Sequence, residues 1–204
     1  KNYSKEVKLT HKRQPHLLKN SSSAQSVEWR RDSGLPIKNI TIRKTEIGNT
    51  MPKKSAGILM YRYQKDVVEV LLVHPGGPFW AKKDLGIWSI PKGEYKEGEN
   101  PFLVAKREFQ EETGFQANGE FIPLKPLKQS SYKIITAWAV EGNCDTSKTK
   151  SNTFIMEWPP HSGKEQEFPE VDRAGWFTID IAKKKLLKGQ VGFIEELCTL
   201  LEKT

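Results

Sequence analysis

The chain has 204 residues and a net charge of +8, room for one ordinary domain with an appended segment. At 36% hydrophobic and 10% aromatic it can bury a core, which excludes a fully disordered chain. No apolar run approaches the roughly 18 residues of a membrane span. No signal-peptide pattern opens the sequence, and Cys144 and Cys198 alone make neither a disulfide framework nor a cysteine metal site, so a cytoplasmic, cysteine-poor globular protein with no membrane contact is expected.

The charge is unevenly spread. Residues 1–54 hold 13 Lys/Arg against 4 Asp/Glu, whereas residues 55–204 hold 20 against 21. A basic arm that recruits phosphates is one reading of the excess; a solvated tail is the one adopted, and no nucleic-acid partner is expected. Residues 1–25 carry few apolar side chains and a Ser21-Ser22-Ser23 run, and 37–42 alternate only weakly. Met51 looks like a natural start ahead of the first strong strand. Residues 1–50 are therefore expected to be a disordered or non-native extension, and 51–204 the working domain.

From there the pattern sharpens. Runs 57–63 and 67–74 read as a β-hairpin, and His74-Pro-Gly-Gly-Pro78 as a loop. A short strand is expected at 86–90, stopped by Pro91-Lys92-Gly93. Asn100 and Pro101 are helix-start residues and Gly114 a helix-end residue, which predicts a helix over 101–113. Strands follow at 115–127, 132–141, 153–158 and 171–177, with 163–171 a loop, and helices at 179–187 and 191–201 with Gly189 between them. The fold class is α/β (α+β), a mixed sheet with helices.

Chemistry concentrates in residues 93–115. Spaced i, i+3, i+4, Glu108, Glu111 and Glu112 fall within an arc of about 100° on the helix, with Phe102, Ala105 and Phe109 on the neighbouring arc. Three like charges on one face cost a few tenths of a kcal/mol per pair, roughly, and a hard divalent cation removes that penalty through oxygen ligands. An exposed acidic face is the plain alternative.

The stretch resembles the signature of the Nudix hydrolases: Gly, five residues, Glu, seven residues, Arg-Glu-U-x-Glu-Glu-x-Gly-U, with U bulky and apolar. Gly93, Glu99, Arg107, Glu108, Phe109, Glu111, Glu112, Gly114 and Phe115 fill every fixed position. Phe at both U positions departs softly from the commoner aliphatics. The resemblance covers about 51–204 and looks closest to small bacterial-type NTP pyrophosphohydrolases, MutT-like, through Trp-Ser-Ile-Pro-Lys-Gly, Glu-Trp-Pro-Pro and Glu-Phe-Pro-Glu-Val-Asp. It implies an α/β/α sandwich with a catalytic loop-helix-loop. It further implies Mg²⁺, with Mn²⁺ as a substitute, held by Glu108, Glu111, Glu112 and the backbone carbonyl of Lys92 or Gly93. Glu99 would meet Arg107 and fix the loop. A water would attack a phosphoanhydride phosphorus, with Glu108 as first choice of base, or a later acid among Glu165, Glu167 and Glu170, Glu167 and Glu170 being favoured.

The signature is silent on the substrate. Trp88, Phe79 and Trp80 could stack a base, and Lys82, Lys83, Lys92 and Lys133 could contact further phosphates; core packing and solvated surface are the respective alternatives. His74 reads as structural, with a phosphate contact as the alternative. The Trp-x-x-Pro-Lys-Gly motif is similar to that of members acting on dinucleoside polyphosphates and oxidised nucleoside triphosphates, which rank first. ADP-ribose and other nucleotide sugars, RNA 5′-pyrophosphohydrolysis through a basic arm, and a catalytically silent nucleotide-binding module follow. A nucleotide is the expected partner, and monomer and homodimer both remain open.

Overall fold

The structure is a computed structural model and describes residues 52–130 and 133–203; the segment 1–50 and its weak strand at 37–42 lie outside them. Among the described residues, β1 (Lys53–Gln64) and β2 (Val67–Pro75) form the expected hairpin. Its two-residue turn, Lys65-Asp66, has φ of 50° and 64°, the doubly positive geometry that matches strand twist.

The sequence runs next into β3 (Lys92–Tyr95), α1 (Pro101–Thr113), β4 (Phe121–Ser130) and β5 (Lys133–Glu141). A two-stranded ribbon follows, β6 (Thr153–Glu157) with β7 (Glu165–Pro169), then β8 (Val171–Thr178), α2 (Ile179–Lys185) and α3 (Val191–Leu201). The main sheet has the order β4-β5-β1-β2-β8, and β3 also pairs with β1. Only β1–β5 is parallel among these pairs, so the sheet is mixed.

Side chains along β1 alternate between two cores. Ile58 and Met60 join Leu71, Val104, Ala105 and Phe109 beneath α1, while Leu59 and Tyr61 join Val70, Leu72, Phe193, Ile194 and Leu197 beneath the C-terminal helices. A strand buried on both faces needs helices on both faces, which gives the α/β/α layering.

Three expectations need correction. Residues 86–90 are not a strand: Ser89 bridges to Val73 and Trp88 to Leu186, so the segment threads between two partners and joins neither ladder, and the strand forms one step later as β3. Residues 115–120 stay outside the sheet, and β4 begins at Phe121. The stretch taken as a loop before the last strand contains β7, whose polar Glu-Gln-Glu alternation hides its pairing with β6.

β1 is what opens the cleft. Its first half pairs with β3, from Lys54 to Gly57, and its second half with β2, from Tyr61 to Gln64. Beyond this divergence, the end of β2 and the start of β3 face each other across a cavity lined by Val73, Pro75 and Lys92.

Candidate active site

The helix that carries the acids is fixed at both ends. Asn100 accepts hydrogen bonds from the Phe102 and Leu103 amides at 2.9 and 3.4 Å, Pro101 occupies the first turn, and Gly114 closes the helix at φ 80°. Val104, Ala105, Phe109 and Thr113 bury one face against the sheet, which sets the rotation of the remaining faces.

Arg107 organises the acids beside it. Its Nη2 donates to Glu108 Oε1 at 3.0 Å, while its Nη1 lies 3.7 Å from Glu99 Oε1 and its Nε 3.8 Å from Glu111 Oε1. These carboxylates, Glu108 foremost, hold its guanidinium above the ordinary range. Glu99 also accepts from the Lys96 amide at 2.6 Å, so the loop ahead of α1 is tied to itself and to the helix.

Glu108 and Glu112 turn inward over β3. A Cβ placed on Gly93 would come within 1.9 Å of the Glu108 carboxyl carbon, so the carboxylate occupies the space a side chain would need. Glu112 Oε2 accepts from the Lys92 amide at 3.0 Å. Burial raises the Glu112 carboxyl to about 7 against the pull of Lys92, with Glu108 and Glu170 adding to the rise. Glu170, in the link between β7 and β8, is also raised, by burial and then by the charges of Glu108 and Glu111.

Glu108, Glu112 and Glu170 thus line one open cleft of about 460 Å³ together with Trp80, Lys92 and Phe154. A narrower recess of about 240 Å³ adjoins it, lined by Ile87, Ser89, Val171 and Leu187 and sharing Trp80, Lys92, Glu112 and Glu170.

Other expected residues sort by where the fold puts them. Trp80 is 39% exposed, lines both cavities and carries Lys83 Nζ 4.7 Å above its ring. Trp88 is only 4% exposed: its ring meets His74 and Phe177 edge-on and its Nε1 donates to Asp84, so it belongs to the core and has no face left for a base. Phe79 packs edge-on against Trp158. Lys133 sits 3.7 Å from Glu94 and is lowered by burial and then by Lys92. Glu167 sits exposed on β7, where it accepts from the Thr153 hydroxyl across the ribbon, and it is not among the residues lining either cavity. Glu165 stands beside it, opposite Glu157. His74 is fully buried and cannot meet a phosphate. Lys185, for which no role was expected, bonds Asp84 through its ammonium at 2.6 Å over the Trp88 and Phe177 rings. Phe154 escaped the sequence reading, because nothing local distinguishes it from any other apolar residue of a short strand.

Among the described residues, no three His, Cys, Asp or Glu side chains gather into a ready-made cation cage. The donor set nevertheless fits a hard ion. It is oxygen only, two of its carboxylates are held protonation-prone by burial and mutual repulsion, and Mg²⁺ retains several waters and so needs few protein ligands.

The NUDIX domain family matches residues 51–197. Nudix hydrolase 7 of Arabidopsis thaliana is 26% identical over 163 residues, 73% of this chain and 56% of that protein. Nudix hydrolase 6 of the same plant is 33% identical over 89 residues, 42% of this chain and 30% of that protein. The chain therefore spans about half the length, or less, of these curated relatives. In solved structures, a binary complex of C. elegans Ap4A hydrolase superposes with TM-score 0.50 at 18% identity, over 74% of this chain and 99% of that one. A mutT/nudix family protein from Listeria innocua does so with TM-score 0.51 at 15% identity, over 76% and 96%. At such identities the likeness is one of fold. No described helix is long and apolar enough to cross a membrane.

Proposed function

The chain belongs to the Nudix hydrolase family, and from that premise we propose that it hydrolyses the phosphoanhydride of a nucleoside diphosphate linked to a second group, with a divalent cation. Dinucleoside polyphosphates and oxidised nucleoside triphosphates are the favoured substrate classes. The observation that carries this reading is the convergence of Glu108, Glu112 and Glu170 on one cleft, with the Glu108 carboxylate over the bare backbone of Gly93.

Glu108, Glu111 and Glu112, with the carbonyl of Lys92 or Gly93, are the residues that would hold Mg²⁺ or Mn²⁺. When bound, the cation neutralises the diphosphate and acidifies a coordinated water. Glu99 and Arg107 keep the helix and its leading loop in register. Of the acids weighed as base, Glu170 is preferred over Glu108. Glu108 is engaged by Arg107, whereas Glu170 lines the cleft with a carboxyl made more basic by burial and by the charges of Glu108 and Glu111, which suits a proton acceptor. Water attacks one phosphorus, the bond to the bridging oxygen breaks, and Glu170 takes the water's proton. Trp80 offers its exposed face to a base, and Lys92 and Lys133 offer positive charge to further phosphates.

The test is product release from a panel in Mg²⁺ and in Mn²⁺: diadenosine tetraphosphate, 8-oxo-dGTP, ADP-ribose and 5′-triphosphorylated RNA. Cation-dependent cleavage of at least one is expected, abolished by EDTA and reduced about a thousandfold by Glu112→Gln, since removing a charged ligand costs about 4 kcal/mol of transition-state stabilisation. Turnover within a few-fold of wild type in that variant would overturn the assignment.

A further inference from the structure

A fully buried histidine stands behind both walls of the cleft. His74 ends β2, and its ring contacts three separate segments. Nδ1 lies 2.7 Å from Asp172 Oδ1, a contact in which the ring N–H donates, since the carboxylate only accepts. Nε2 lies 2.8 Å from the carbonyl oxygen of Lys83 and 3.0 Å from Arg173 Nη2. The ring edge meets Trp88 at 5.1 Å.

Each partner leads to the cleft. The amide of Lys83 donates to the Trp80 carbonyl at 2.7 Å, so the turn that presents Trp80 closes on the residue His74 faces. Asp172 and Arg173 open β8, two and three residues after Glu170. On the same side, the Gly76 amide donates to the Glu170 carbonyl at 2.9 Å, and a Cβ on Gly76 would lie 1.9 Å from the Pro169 oxygen. The chain leaving His74 is thereby pressed onto the link that carries Glu170.

We propose that His74 is a positioning residue that sets Trp80 and Glu170 against each other across the cleft; this rests on the reading of that cleft given above. An apolar ring at position 74 could fill the same volume against Trp88. It would remove the ring nitrogens that hold Asp172, which keeps Arg173 at 3.5 Å, and that lie against the Lys83 carbonyl and the Arg173 guanidinium, a loss that loosens both segments rather than emptying the core. Two walls fixed by one ring move together when it is replaced, so Trp80 and His74 act as one unit.

A double-mutant cycle separates this from ordinary stabilisation. With diadenosine tetraphosphate, or whichever nucleotide of the panel turns over, Trp80→Ala is expected to raise KM about tenfold in the wild-type background but less than threefold in His74→Phe. His74→Gln, which keeps a polar side chain among Asp172, Arg173 and the Lys83 carbonyl, should recover most of the Trp80 effect. A histidine that merely stabilises the fold would leave the tenfold cost of Trp80→Ala unchanged in both backgrounds, and that result overturns the proposal. Should His74→Phe fail to fold, Asp172→Ala tests the same coupling from the half-exposed side of the network. A readout independent of turnover is the ¹⁹F spectrum of protein labelled with 5-fluorotryptophan, the Trp80 line being identified by its loss in Trp80→Phe. That line should shift and broaden in the His74 or Asp172 variant; an unchanged line refutes positioning even if no panel nucleotide is cleaved. Failure of wild type on the panel with a responsive Trp80 line would instead refute the catalytic reading and leave His74 in its role.

Discussion

At Gly93 and Glu112 the backbone of β3 and the side chains of α1 share one small space. A methyl group on Gly93 cannot coexist with the Glu108 carboxyl carbon at 1.9 Å, and the neighbour that must yield is the functional group itself. Gly93→Ala is therefore expected to lower kcat/KM by about a hundredfold or more, the cost of misplacing a catalytic group by an ångström. Circular dichroism should show the fold kept, and turnover within threefold of wild type would refute the argument. Glu112 makes a prediction of the opposite kind. Its carboxyl stands at about 7 in the native state against 4.5 ordinarily, so between these values the native state binds more protons than the unfolded chain. Stability then falls as pH rises through that window, and above pH 7 the full burden of a buried carboxylate remains. Without divalent cation, Glu112→Gln should be more stable than wild type at pH 8, by about 3 kcal/mol, and the gain should shrink toward pH 5. Urea unfolding at the two pH values measures it. Added MgCl₂ should raise the Tm of wild type and leave the variant where it was.

Among elements, α1 was the most legible because its signals are local. Asn100, Pro101 and Gly114 bracket it, and the structure ends it at the same residues. The clustering of Glu108 and Glu112 over β3 followed from the same 3.6-residue period that buries Phe109. β3 and β7 were not legible, since each is a short polar strand recognisable only by its partner: β3 by β1, β7 by β6. That omission hid the different surroundings of two glutamates equally suitable by sequence. Strand geometry turns Glu167 to the Thr153 hydroxyl, while Glu170 falls in the link after the ribbon and reaches the acids. Glu167→Gln should therefore keep kcat within about twofold. Glu170→Gln should lower it by about two to four orders of magnitude, the usual worth of a positioned base, and remove the acidic limb of the pH profile. Equal losses in the two variants would place the base elsewhere. Trp88 failed for a related reason: an aromatic beside the signature looks the same in sequence whether its face meets a base or, as here, its edge meets His74 and Phe177.

For the whole molecule, the cleft depends on the long β1 serving β3 with one half and β2 with the other, a non-local fact that periodicity cannot reveal. The charge distribution, by contrast, is plain in the sequence, and it supports a prediction about the first fifty residues. With 13 basic against 4 acidic side chains in residues 1–54 and near neutrality beyond, the basic segment can act on an anionic substrate through its field. Fields between exposed charges fade beyond about 8 Å at 0.15 M salt, and the family match begins only at residue 51. A chain starting at Met51 is accordingly expected to retain kcat/KM on a panel nucleotide within about twofold at 0.15 M NaCl. At 0.02 M, where screening reaches several times further, the full chain should be faster and the shortened one should not gain. Binding of a 5′-triphosphorylated RNA should be weak and alike in the two chains; a steep fall with salt in the full chain alone would favour the basic-arm reading instead, because counterion release scales with the phosphates neutralised. Loss of folding or a tenfold drop in turnover at 0.15 M would assign residues 1–50 to the working domain, since a screened field cannot account for either effect.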